Sequence, residues 1–99
     1  MNRTRGEVLR ALEEHATTLR RLGARRLGFF GSVAKNEAGP ASDIDFVVEL
    51  DERTFDRYMD LKLFLEELFG CRVDLVLADS IKPRLRSAIL RETVYAAGL

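Results

Sequence analysis

The chain has 99 residues, 46% of them hydrophobic and 32% charged, with 16 basic side chains balanced by 16 acidic ones. That composition describes an ordinary soluble globule, one domain with one core, neither disordered nor membrane-embedded. No apolar run approaches the roughly 18 residues that span a bilayer, and the charged start lacks the apolar stretch of a signal peptide. The single cysteine, Cys71, cannot close an internal disulfide, which fits a reducing cytoplasm; beside a strand it reads as a small buried apolar residue.

The charges are unevenly spread. Residues 1–35 carry 8 basic against 3 acidic side chains, residues 36–79 carry 4 against 12, and residues 80–99 carry 4 against 1. An acidic middle between basic ends suits a metal centre or a complementary partner, and it is a poor grip for a nucleic-acid backbone.

Residues 4–22 read as a helix, because Val8, Leu9, Leu12, Ala16, Leu19 and Leu22 recur every three or four positions. Thr4 and Glu7 are spaced as a capping box, and Gly23 is placed to stop the helix. His15 falls off the apolar stripe and is expected as a solvated surface residue. Arg25 to Phe30 alternates as a strand, with Leu27 and Phe29 on one side; Gly28 within it marks the close approach of another backbone or a ligand. Ser32 to Ala38 suits one or two helical turns. Gly39-Pro40 breaks them, and Ser42 can shape the following turn. Residues 44–50 form the next strand, with Ile44, Phe46 and Val48 facing the core and Asp45, Val47 and Glu49 turned away.

A second helix runs from Thr54 to Phe69, its apolar arc broad and its end fixed by Gly70. Arg72 to Leu77 is a third strand in which Asp74 faces away from Val73, Leu75 and Leu77. An acid inside an apolar strand opposes both strand propensity and burial, and such conflicts tend to mark functional positions. Ser80 is placed to cap a final helix with Pro83 in its first turn. Leu85, Ala88, Ile89 and Tyr95 form its inner stripe, while Lys82, Arg84, Arg86 and Arg91 project outward. The order of elements predicts an α/β fold in which a three-stranded mixed sheet packs on helices.

Asp43 and Asp45 are two apart at the start of a strand and so project to one face, where their charges repel unless a cation lies between them. Magnesium, held through one or two carboxylates plus substrate phosphates, suits that place. Gly31-Ser32, leading into a turn, offers bare backbone N–H groups to a phosphate. A metal clamp beside a phosphate cradle reads as phosphoryl or nucleotidyl transfer.

Gly31-Ser32, the Ser42-Asp43-Ile44-Asp45 run and Asp74, spread over three successive strands, together resemble the DNA polymerase beta-like nucleotidyltransferases. The chain is most similar to the minimal nucleotidyltransferase (MNT) proteins, whose signature is Gly-Ser-x-Ala-Arg-Gly, a spacer, Ser-Asp-x-Asp and a later third acid. The resemblance covers residues 1–99 as one minimal nucleotidyltransferase domain. It implies transfer of a nucleoside monophosphate from a triphosphate, with Asp43, Asp45 and Asp74 catalytic and holding two Mg2+ ions. Gly31, Ser32 and Lys35 would bind the phosphates of ATP. This chain has Lys35-Asn36 where the family usually has Arg-Gly; lysine loses the forked geometry of arginine, whereas asparagine tolerates a left-handed backbone.

Short members of this family usually serve as antitoxins that pair with a helical HEPN-domain toxin and attach AMP to one of its tyrosines. The resemblance therefore implies a hetero-oligomer with such a toxin in the cytoplasm, with neither nucleic acid nor membrane as a partner. A rival reading is a non-catalytic antitoxin that neutralises its partner by binding and masking. An aminoglycoside-type enzyme would need a further helical domain, for which no residues remain.

Overall fold

The computed structural model describes residues 4–37 and 43–99. The elements are α1 (Arg5–Glu14), α2 (Ala16–Arg21), β1 (Ala24–Phe30), β2 (Ile44–Leu50), α3 (Phe55–Phe69), β3 (Val73–Leu77), α4 (Pro83–Glu92) and β4 (Val94–Tyr95), with a 3-10 turn at Ala78–Ser80. The four strands make one mixed sheet in the order β3-β2-β1-β4. β1 is antiparallel to both neighbours, and β2 runs parallel to β3. The expected three strands are therefore four. The Gly39-Pro40 break and the Ser42 turn fall outside the described residues.

Alternation along the strands decides which face is buried. Leu27, Phe29, Ile44, Phe46, Val48, Val73 and Leu75 meet Val8, Leu12, Leu19, Leu61 and Leu65 in one apolar core. Phe46 stands at its centre, edge-on to Phe29 at 6.5 Å and tilted against Phe69 at 5.7 Å. α3 starts where Thr54 accepts a hydrogen bond from the Arg57 N–H and ends at Gly70, whose φ of 65° is left-handed. The Tyr58 hydroxyl donates to the Leu75 carbonyl at 2.6 Å, fixing α3 against β3. Among the described residues no helix is long and apolar enough to cross a membrane.

Several details differ from expectation. The first helix is two, broken at His15 (φ −107°, ψ 19°). His15 is half-buried rather than solvated: its Nδ1 donates to the Ala11 carbonyl at 2.8 Å and its ring meets Phe64 edge-on at 5.9 Å. The Thr4 cap is present, accepting from the Glu7 N–H and donating to the Glu7 carboxylate. Cys71 is half-buried, not buried.

The last helix is capped by Lys82 without a side-chain bond, not by Ser80, which closes the 3-10 turn. Its stripe is also displaced. Leu85 is 47% exposed, whereas Arg86 is half-buried and lines a cavity of about 310 Å³ with Leu90, Val48 and Leu50. A long arginine stem can cover apolar surface, so Arg86 takes an inward position. Tyr95 belongs to β4, where Gly28 pairs with Tyr95 and Phe29 with Val94. A Cβ on Gly28 would stand 2.6 Å from Thr93 Cγ2 and 2.7 Å from the Val94 carbonyl oxygen, so the close approach expected of Gly28 is that of β4. The Arg26 guanidinium lies 3.9 Å above the Tyr95 ring and holds the short strand from outside.

Candidate active site

The site lies where the end of β1 meets the starts of β2 and β3, on the sheet face turned away from the core. The β1–β2 register pairs Phe30 with Asp45, and the β2–β3 register pairs Asp45 with Asp74. Parity therefore delivers both acids to one face, as alternation in the two strands requires. Their carboxyl groups lie close enough to share a hydrogen bond when one of them carries a proton. Partial burial of Asp45, then the charge and hydrogen bond of Asp74, then the charges of Asp43 and Glu92, push the Asp45 carboxyl above the usual carboxylate range. Asp43 is exposed and precedes β2, close enough for its charge to reach Asp45. Among the described residues no three His, Cys, Asp or Glu side chains are gathered as a ready metal cage. Asp45 and Asp74 are the two acids that the strand register pairs, and their like charges repel. The donor set is nonetheless all carboxylate oxygen, hard and anionic, which fits Mg2+.

Gly31 follows directly after β1 with φ +75°, a backbone region that disfavours a side chain. A Cβ there would run into Asp45 Oδ2, so the glycine also lets the turn close over the acid. Residues 31–36 form hydrogen-bonded turns rather than a regular helix: Lys35 N–H closes one helical turn on the Gly31 carbonyl at 3.2 Å, Glu37 N–H bonds the Ser32 carbonyl at 2.8 Å, and Ala38 lies outside the described residues. Val33 and Ala34 are buried and seat the turn on the core, while Ser32 is half-buried. Asn36 takes φ 61°, the left-handed backbone that asparagine tolerates. Its side-chain oxygen accepts from the Arg5 N–H at 3.1 Å, tying the turn to the start of α1.

Lys35 is engaged by Glu92, Nζ to Oε2 at 3.7 Å, and the other oxygen of Glu92 accepts from the Gly31 N–H at 3.3 Å. Glu92 was not singled out by sequence reasoning. The signal available was its position: an acid in the last turn of a helix opposes the helix dipole.

This fold, with paired acids beside a glycine turn, defines a nucleotidyltransferase. The chain belongs to the nucleotidyltransferase domain family, whose pattern matches residues 12–96. It is 40% identical to the protein adenylyltransferase MntA of Thermococcus cleftensis over 90% of this chain and 92% of that one. A solved structure described as a minimal nucleotidyltransferase is 47% identical and superposes with a TM-score of 0.77, over 89% of this chain and 92% of that chain. A toxin–antitoxin crystallised with AMP-PNP has a TM-score of 0.69 over 88% of this chain and 73% of its own; at 22% identity that likeness concerns the fold alone.

Proposed function

We propose that this protein is an antitoxin that transfers AMP from ATP to a hydroxyl, that of a tyrosine, on a partner HEPN-domain toxin in the cytoplasm, and so neutralises it. The observation that carries the reading is the meeting of the Asp45–Asp74 pair with the Gly31 turn at one end of the sheet. The 40% identity to a protein adenylyltransferase supports the reaction class, and the resemblance to short nucleotidyltransferases that pair with toxins suggests the setting.

In this reading the Gly31 N–H, the Ser32 hydroxyl and Lys35 hold the terminal phosphates of ATP. Asp43, Asp45 and Asp74 would supply the oxygen ligands for two Mg2+ ions, whose charge would offset that of the triphosphate and of the pyrophosphate. Asp74, exposed beside Asp45, accepts the proton of the acceptor hydroxyl as its oxygen attacks the α-phosphorus. The bond from that phosphorus to the oxygen bridging the β-phosphate breaks, and pyrophosphate leaves with the electron pair.

The masking alternative draws on one observation, that among the described residues no three acids are pre-gathered around a common point. Intact-mass measurement of the toxin after incubation with this protein, magnesium and ATP separates the two. Catalysis predicts one AMP increment per modified site with the wild-type protein. It also predicts a toxin that is bound but unmodified and active with the Asp43→Asn, Asp45→Asn double variant. Full neutralisation by the wild-type protein with no mass increment would establish masking.

A further inference from the structure

We infer that Glu92 is a built-in stand-in for a phosphate, one that closes the Gly31 turn until the triphosphate of a nucleotide displaces it. The inference rests on the nucleotidyltransfer reading of the site and adds a competitor carried by the chain itself.

The placement is a consequence of β4. Gly28 pairs with Tyr95 and Phe29 with Val94, and this pairing brings the end of α4, where Glu92 stands, beside Gly31. There the carboxylate engages two groups at once: the Gly31 N–H at 3.3 Å through Oε1 and the Lys35 ammonium at 3.7 Å through Oε2. A backbone N–H and a lysine are the donors an oxyanion of phosphate would take, and a carboxylate meets them with the same charge and the same two-oxygen edge. The contact is costly elsewhere. Glu92 ends α4, where the dipole disfavours an anion, and its charge adds to the negative charge already around Asp45. An acid held at a helix C-terminus beside other acids is a local conflict that the cradle contacts relieve.

The contact is also built to be released. The Glu92 side chain is 35% exposed and Lys35 is 55% exposed, so the ion pair is weak and screened by solvent. Glutamate can swing clear by side-chain rotation, with β4 remaining paired to β1. A triphosphate carries more negative charge than one carboxylate and takes the same two donors. Binding then requires expulsion of Glu92, and nucleotide affinity is lowered by the cost of breaking its contacts. The arrangement also excludes weak anions, since a ligand must outcompete a tethered carboxylate.

The test compares wild type with Glu92→Gln and Glu92→Ala. Calorimetry measures the binding of Mg-ATP and of inorganic tripolyphosphate, and thermal melts verify folding. Both variants are expected to bind both ligands about three- to tenfold more tightly, the range set by the loss of an exposed pair and one charge-assisted hydrogen bond. On addition of tripolyphosphate the Gly31 amide should exchange one oxyanion partner for another in wild type and move little, whereas in Glu92→Ala it should shift strongly from its unbonded position. Equal or weaker binding by folded variants would overturn the inference and leave the nucleotidyltransfer reading standing. No binding of ATP by any of the three proteins would overturn that reading, and the inference with it.

Discussion

Asp45 and Asp74 face each other across the parallel β2–β3 register, close enough for the Asp74 charge to act on the Asp45 carboxyl. Burial and the neighbouring charges raise the Asp45 pKa in the folded protein, so folding favours its protonated form. The stability linked to that proton is complete below the ordinary value of 3.8 and is lost as pH rises through the raised value. At neutral pH the ionised Asp45 carboxylate therefore weighs against the fold. Asp45→Asn should melt a few degrees higher than wild type at pH 7, where about 1 kcal/mol corresponds to roughly 4–8 °C in a domain of this size. The gain should shrink toward pH 3, where the wild-type acid is already neutral. Calorimetric scans across that range check both the sign and the trend; a lower melting temperature at pH 7 would contradict the account.

Gly31 combines a positive φ with a close approach to Asp45 Oδ2, and the two requirements separate by substitution. Gly31→Ala should cost about 1–2 kcal/mol from backbone strain alone. The added methyl group also pushes on the Asp45 carboxylate and should remove ATP binding. Urea denaturation measures the first effect and calorimetry with Mg-ATP the second. Stability within experimental error of wild type would show that the turn relaxes freely.

Gly28 is crowded by Thr93 and the Val94 carbonyl, so a side chain there competes with the pairing of β4. Gly28→Val should lift Val94 and Tyr95 away from β1 at a cost of about 1–3 kcal/mol. Loss of protection at the Ala96 amide, which bonds the Leu27 carbonyl at 3.0 Å, reports the change by hydrogen exchange. Retained protection at Ala96 would place the adjustment within β1.

Strands β1, β2 and β3 were legible because each is long enough for a period of two to show, and their parity carried Asp45 and Asp74 to one face. β4 was not, since Val94 and Tyr95 are too short a run to show alternation, and a preceding helix pattern absorbed Tyr95 into its stripe. In α4 a hydrophobicity pattern ranks leucine inside and arginine outside, while packing reversed Leu85 and Arg86 through the apolar stem of the arginine. The site was readable in part. Gly31, Asp43, Asp45 and Asp74 stand out by residue type and spacing, whereas the contact from Glu92 to Gly31 spans 61 positions and depends on the register of the strand that the pattern concealed.

Asn36 holds two tasks that substitution can separate. Its backbone sits at φ 61°, and its side-chain oxygen accepts from the Arg5 N–H, one of the first donors of α1, at 3.1 Å. Helix N-termini leave such donors without partners inside the helix, so the bond joins the turn around the site to the helix packed beneath it. Asn36→Gly keeps the backbone conformation and loses only this exposed bond, at a cost of about 0.5–1 kcal/mol. Asn36→Ala loses the bond and must also force a Cβ-bearing residue without a compensating side chain into left-handed space, raising the cost to about 1.5–3 kcal/mol. The expected order of urea midpoints is wild type, then Asn36→Gly, then Asn36→Ala. ATP affinity should follow the same order, because Lys35 is carried by the turn that Asn36 closes. Equal midpoints for the glycine and alanine variants would mean that the backbone conformation contributes nothing and the Arg5 bond alone holds the turn.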